Sequence, residues 1–217
     1  MNEHNNQRRN RAVSAGFGWS LLLWWMLATT IAGTFGGLLI LIWGQGGLVA
    51  LCIFGGLYLG VLQGLALQKH EHVKIWRWVL GSGVGWFCAM FIIFLGSFIA
   101  MLGRGLNDAD TTGWGIMYFA VAGIVFGILQ QAVSPVGRFK PIAWMIINAV
   151  AWGTGGLVAL SVGGAVHESI NMLNYVSLSS SYGLTSIAVG VGVGMLVYGI
   201  LTGFLVGWLS PRHTFQQ

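Results

Sequence analysis

Charge is what this chain most lacks. Only 7% of its 217 residues are Asp, Glu, Lys or Arg, against roughly 25% in an ordinary soluble domain. With 56% hydrophobic residues and a mean hydropathy of +0.78, most of the chain must sit where an ion cannot be solvated. A bilayer core is such a place, and helices satisfy its demand for internally bonded backbone. Proline is almost as scarce. Pro135, Pro141 and Pro211 all fall at the ends of apolar runs, so no helix is expected to kink in mid-membrane. The two cysteines, Cys52 and Cys88, lie inside apolar runs, give no disulfide framework and read as small buried hydrophobes.

The apolar runs also lack most of the groups that do chemistry. His4, His70, His72, His167 and His213 are expected in tails or links, which removes histidine ligation of a haem or chlorophyll-like ring at membrane depth. No lysine lies at mid-span to form a Schiff base. None of the five acids (Glu3, Glu71, Asp108, Asp110, Glu168) lies in an expected span, which counts against proton relays and cation-coupled carriers. Gly81-Ser82-Gly83 resembles the surroundings of an intramembrane serine nucleophile, but no span supplies the base such a serine needs. Gly190-Val191-Gly192-Val193-Gly194 lacks the preceding strand and the water of a nucleotide loop. His70-Glu71-His72 reads as a solvated hinge before it reads as a metal site. No catalytic residues, metal or cofactor are expected, and nucleic acid is excluded as a partner.

What is present is a series of apolar runs. Residues 1–14 read as a mobile basic tail and 211–217 as a second tail, flanking one transmembrane domain over 15–210. Six spans are expected at about 17–43, 46–67, 75–102, 113–133, 141–166 and 184–209, each near or above the ~20 residues a crossing needs. Short links make sequential helices antiparallel neighbours. The 167–183 link is longer and carries His167 and Glu168. Nine of the ten Lys and Arg fall on one side of this plan: Arg8, Arg9, Arg11, Lys69, Lys74, Arg77, Arg138, Lys140 and Arg212. Arg104 alone falls on the other, beside Asp108 and Asp110. That bias predicts cytoplasmic N- and C-termini in a bacterial inner or thylakoid membrane.

The odd spans align on Trp25, Trp78 and Trp144. Four residues on come Thr29, Ser82 and Asn148, and eight on come Gly33, Trp86 and Trp152. The even spans align on Gly60-Val61-Leu62-Gln63, Gly127-Ile128-Leu129-Gln130 and Gly199-Ile200-Leu201-Thr202. The expected fold is therefore all-α, three tandem helical hairpins with pseudo-threefold packing. Small residues recur at fourfold spacing: Gly33 and Gly37; Gly56, Gly60 and Gly64; Gly81 and Gly85; Gly123 and Gly127; Gly190 and Gly194; Gly199, Gly203 and Gly207. This spacing keeps them on one helical face, where a partner backbone can approach. The alternative is that some line a path or admit a flat ligand. Thr29, Gln63, Ser82, Gln130, Asn148 and Thr202 sit at comparable depth and are expected to converge in one layer. Such a layer is either interhelical hydrogen bonding or a site for a neutral solute or head group.

The repeated Trp…Gly-Trp…Gly and Gly-x-Leu-Gln pattern over residues 19–209 resembles a loosely defined group of multi-pass bacterial membrane proteins, frequent in cyanobacteria and Chloroflexi. The second and third odd spans match best; the first departs at Gly33, where the second tryptophan would stand. The resemblance implies a style of fold and assigns no role to any residue. The expected function is non-enzymatic: a packing or accessory protein that associates with itself or with another membrane complex, its other partner being the lipid bilayer. The alternative is a passive pathway or binding site for a neutral solute, lipid or isoprenoid pigment.

Overall fold

In the computed structural model the described residues are 2–68, 74–103, 111–133, 141–173 and 181–209. Of 2–19, 100–103, 111–114, 168, 170–173, 181–183 and 205–209 only the helical backbone is described. All of it is helix apart from the tight turn at Gly44 and Lys74, the residue before the third helix. The helices are α1 (Asn2–Trp43), α2 (Gln45–Gln68), α3 (Ile75–Gly103), α4 (Thr111–Val133), α5 (Pro141–Leu173) and α6 (Ser181–Leu209). Each contains a stretch long and apolar enough to cross a membrane: Ser20–Trp43, Gln45–Gln68, Ile75–Ile99, Gly115–Val133, Pro141–His167 and Leu184–Phe204. Among the described residues the protein is thus all-helical, with six candidate spans, as in a multi-pass membrane protein.

Three boundaries differ from the sequence reading by three residues or more. Helix α1 begins at Asn2, so residues 2–14 are helical rather than an unstructured tail. Good helix formers such as Gln7, Arg8, Arg9 and Arg11 carry no stop signal, and nothing before Phe17 ends the helix. Helix α5 runs on to Leu173, which moves His167 and Glu168 from a link onto its last turns. His167 stands exposed at the end of the fifth span, outside the packed interior. Helix α6 starts at Ser181, three residues before the expected start at 184. The expected C-terminal tail, 211–217, and the links that carry His70, Glu71, His72, Arg104 and Arg138 lie outside the described residues.

The α1–α2 connection is a single non-helical residue. Gly44 has φ +57°, a left-handed conformation that costs glycine nothing, and its N–H donates to Ile40 O at 2.8 Å. Leu48 N–H then donates to Gly44 O at 3.2 Å, so the chain reverses and starts α2 at once. At the other tight start, Arg77 and Trp78 N–H donate to Lys74 O at 3.0 and 3.3 Å, giving α3 its first bonds. Pro141 opens α5 at the first helical position, where its missing N–H has no intrahelical partner to lose.

Each helix packs on its two neighbours in sequence, and α6 returns to α1, so the six staves close into a ring. The outer wall carries large apolar side chains such as Leu27, Ile31, Val84, Phe87, Phe91, Ile146 and Phe204, all exposed. In water that wall would be an aggregation surface; in a bilayer it is the lipid face. Two interior clusters lie inside the ring. One contains Leu21, Trp25, Leu67, Trp78 and Trp144. The other contains Ala32, Leu59, Trp86, Ala89, Ala122, Phe126, Ala151, Trp152 and Tyr198.

Candidate functional site: a buried polar layer beneath an indole triad

Trp25, Trp78 and Trp144 come from alternate staves and meet at the centre of the ring. Their ring centroids are 5.9 Å (Trp25–Trp78), 6.1 Å (Trp25–Trp144) and 6.1 Å (Trp78–Trp144) apart, with interplanar angles of 70°, 84° and 61°. Edge-to-face contact puts the positive rim of one indole on the negative face of the next. All three side chains are fully buried. Three indoles this close leave no room for a solute to pass between them.

All six residues expected in the polar layer, Thr29, Gln63, Ser82, Gln130, Asn148 and Thr202, are fully buried. Most of them are bonded across helix seams. Gln130 Nε2 donates to Ser82 Oγ at 2.9 Å, and Gln130 Oε1 accepts from Trp144 Nε1 at 3.3 Å. One side chain on α4 therefore ties α3 to α5. Indole N–H can only donate, so the orientation of the Gln130 amide follows from that bond. Trp25 Nε1 donates to Thr202 Oγ1 at 3.0 Å, bonding α1 to α6 where the ring closes. Gln63 Nε2 donates to Thr29 Oγ1 at 3.4 Å, and Tyr198 O–H donates to Asn148 Oδ1 at 2.9 Å.

Three of these acceptors are set up by the same local device. Thr29 Oγ1 donates to Trp25 O, Asn148 Nδ2 to Trp144 O, and Thr202 Oγ1 to Tyr198 O, at 2.9, 2.9 and 2.7 Å. Each side chain donates one hydrogen to the carbonyl four residues back in its own helix. Its oxygen lone pairs are then left to accept from the next helix. In low dielectric such bonds are needed as much as they are stabilising, because an unpaired buried amide or hydroxyl is costly.

One seam is incomplete. Gln63 Oε1 and Trp78 Nε1, on neighbouring α2 and α3, are both buried without a hydrogen-bond partner, as are Trp152 Nε1 and Gln131 Nε2. The Trp152 and Gln63 side chains both approach the Tyr198 hydroxyl, which already donates to Asn148. On the side of the layer away from the triad, Trp86 and Trp152 lie 5.3 Å apart, with Phe126 at 5.5 Å and Tyr198 at 6.0 Å from Trp152. The interior on that side of the layer is again aromatic.

The glycines expected on packing faces have near neighbours. A methyl added at Gly60 would lie 2.8 Å from Ser82 Cβ, at Gly127 3.3 Å from Asn148 Cβ, and at Gly199 2.9 Å from Thr29 Cβ. At Gly56 it would meet Trp86 Cβ and sit 2.5 Å from Ser82 O; at Gly123 it would meet Asn148 O, and at Gly33 Met195 Cβ. Gly37 faces Ala188 O at 2.9 Å, Gly64 Ile75 Cγ2 at 3.2 Å, Gly81 Gln130 Cα at 3.2 Å, Gly85 Phe126 Cδ2 at 3.0 Å and Gly203 Met26 Cγ at 3.1 Å. Gly207 lies among residues of which only the backbone is described. Gly194, with Gly155 from outside the expected set, brings α5 and α6 together, each 2.7 or 2.8 Å from the other's carbonyl oxygen by the same measure.

Sequence reasoning used Trp25, Trp78 and Trp144 as register marks and did not foresee that they touch. Tyr198 and Met195 were missed altogether. The signal for the triad was there: one tryptophan, at one depth, on each odd span. Nothing in the sequence singled out Tyr198 from the other aromatics.

Amides, hydroxyls and indole N–H groups offer hydrogen bonding and no proton transfer near neutral pH. Ser82 Oγ accepts from an amide, which neither activates nor deprotonates it. Among the described residues no group of three His, Cys, Asp or Glu is placed to share a metal ion, and Cys52 and Cys88 are free, half-buried thiols. The chain matches no family model, no curated protein and no solved structure.

Proposed function

We propose that this chain is a non-enzymatic packing or accessory protein of a bacterial inner or thylakoid membrane, which associates with itself or with another membrane complex. The observation that carries this reading is the triad of fully buried indoles at 5.9–6.1 Å, lying across the middle of a closed helical ring. A passive pathway needs a continuous polar or open route, and an enzyme needs a reactive group with access to substrate. The polar layer is instead occupied largely with holding its own helices together. The resemblance to multi-pass proteins frequent in cyanobacteria and Chloroflexi belongs to the same proposal.

Within it the architecture is three tandem hairpins about a pseudo-threefold axis, with both termini cytoplasmic and glycine faces at the seams. Support comes from matched contacts: Gly60 on Ser82, Gly127 on Asn148 and Gly199 on Thr29. Two departures from the repeat are compensated across a seam. Where α1 has Gly33 in place of the second tryptophan, α6 supplies the bulk with Met195 opposite it, while Gly56 and Gly123 accept Trp86 and Trp152. Where α6 has Thr202 in place of glutamine, Tyr198 one turn away supplies the donor to Asn148.

A second reading, a site for a small neutral solute in the layer, is favoured by the partnerless Gln63 Oε1, Trp78 Nε1 and Trp152 Nε1. Against it, the corresponding pair on α4 and α5, Gln130 and Trp144, bond directly at 3.3 Å. The test is purification from the native membrane in mild detergent. The proposal expects a self-assembled species or a stoichiometric companion protein. A lone protomer carrying a stoichiometric solute or pigment would contradict it and favour the second reading.

A further inference from the structure

A groove on the outside of the ring opens at the end of the α2–α3 seam. That groove, of about 760 Å³, has an apolar floor of Ile75, Trp76, Val79 and Leu80 and a polar rim of Gln68 and Lys74. Arg77 adds a second cation at the same end, its guanidinium carbon 5.3 Å from the centre of the exposed Trp76 ring. Lys74 and Arg77 are both exposed. We propose that this groove binds one anionic phospholipid, with its phosphate at Lys74, Gln68 and Arg77 and an acyl chain along Ile75, Val79 and Leu80.

The assignment rests on charge and shape together. The floor belongs to a span and faces the hydrocarbon, so a wholly polar ligand would leave it bare. The rim is cationic: Lys74 stands on it and Arg77 lies beside it over Trp76, and no Asp or Glu lines the groove among the described residues. A zwitterionic lipid would set its own positive group against that rim. An exposed tryptophan beside basic side chains is the arrangement found at the membrane–water boundary, where head groups lie. Lys74 and Gln68 can each donate a hydrogen bond to phosphate oxygens, and Arg77 can do so in bidentate form.

Native mass spectrometry of the full chain, delipidated in detergent and offered phosphatidylglycerol or phosphatidylcholine of the same acyl chains, tests this. The parent protein should retain phosphatidylglycerol in preference. Lys74→Gln should reduce that retention about fivefold, the share of one basic side chain at an anionic surface, and Lys74→Gln with Arg77→Gln roughly twenty-five-fold. Lys74→Arg should restore it, and phosphatidylcholine retention should not change. Arg138→Gln removes one charge from the same side of the protein and should have little effect. Equal retention of the two lipids by the parent would overturn the proposal. So would an Arg138→Gln loss as large as that of Lys74→Gln, since diffuse attraction would then suffice. Competition by free glycerol phosphate at the same concentration would also overturn it, because the apolar floor would contribute nothing.

Discussion

Replacing Gln130 by leucine removes a side chain that bonds two seams at once. Its Nε2 donates to Ser82 Oγ at 2.9 Å and its Oε1 accepts from Trp144 Nε1 at 3.3 Å. Interhelical side-chain bonds in membranes contribute ~0.6–1.7 kcal/mol each, so Gln130→Leu should cost ~1–3 kcal/mol at nearly constant volume. Gln63→Leu removes a single long bond, 3.4 Å to Thr29 Oγ1, and also deletes a buried oxygen that has no partner. Burying an unmet acceptor costs about as much as a hydrogen bond returns, so the net change should stay below ~1 kcal/mol in either direction. A gap of ~1.4 kcal/mol between the two variants is tenfold in the unfolding equilibrium. Equilibrium unfolding by denaturing detergent, followed by circular dichroism in mixed micelles, resolves a difference of that size. Equal losses, or a larger loss for Gln63→Leu, would refute the reasoning and mean that Gln63 and Trp78 are bonded after all.

Gly56→Ala must shift Trp86 or the Ser82 carbonyl and should lower stability by ~1–3 kcal/mol, whereas Gly192→Ala, with nothing within 4 Å, should be neutral or slightly stabilising; thermal unfolding of the two in detergent separates them. Tyr198→Phe withdraws the donor to Asn148 Oδ1 and should cost ~1 kcal/mol in the same assay, an unchanged midpoint counting against that bond. Reporter fusions within 69–73 and 134–140 should read cytoplasmic, and those within 104–110 and 174–180 external. A cytoplasmic signal from 174–180 would undo the proposed orientation.

Much of the fold was legible because a bilayer imposes blunt rules. Runs of ~20 apolar residues flanked by Lys, Arg or Gly can hardly be anything but spans, and five of the six helices begin within three residues of where hydropathy puts them. Hydropathy is silent about a helix once it leaves the membrane. That is why the helical start of α1 and the extra turns of α5 that carry His167 were not foreseen. The polar layer was legible from register: Thr29, Ser82 and Asn148 each stand four residues after a tryptophan, on the same helical face. The bonds within it were not, since periodicity gives a side chain's face and depth but not its neighbour. Gln63 and Gln130 look equivalent in sequence, yet only Gln130 has both ends of its amide engaged. Met195 opposite Gly33 was likewise hidden, because the two residues lie at opposite ends of the chain and meet only where the ring closes.

The central claim is that the interior is closed and serves packing, and solute flux tests it most directly. Parent protein reconstituted into proteoliposomes should leave water and glycerol permeability, measured by stopped-flow light scattering, equal to that of protein-free liposomes. A permeability that rises in proportion to the amount of folded protein would contradict the claim, because a solute would then be passing the triad of Trp25, Trp78 and Trp144.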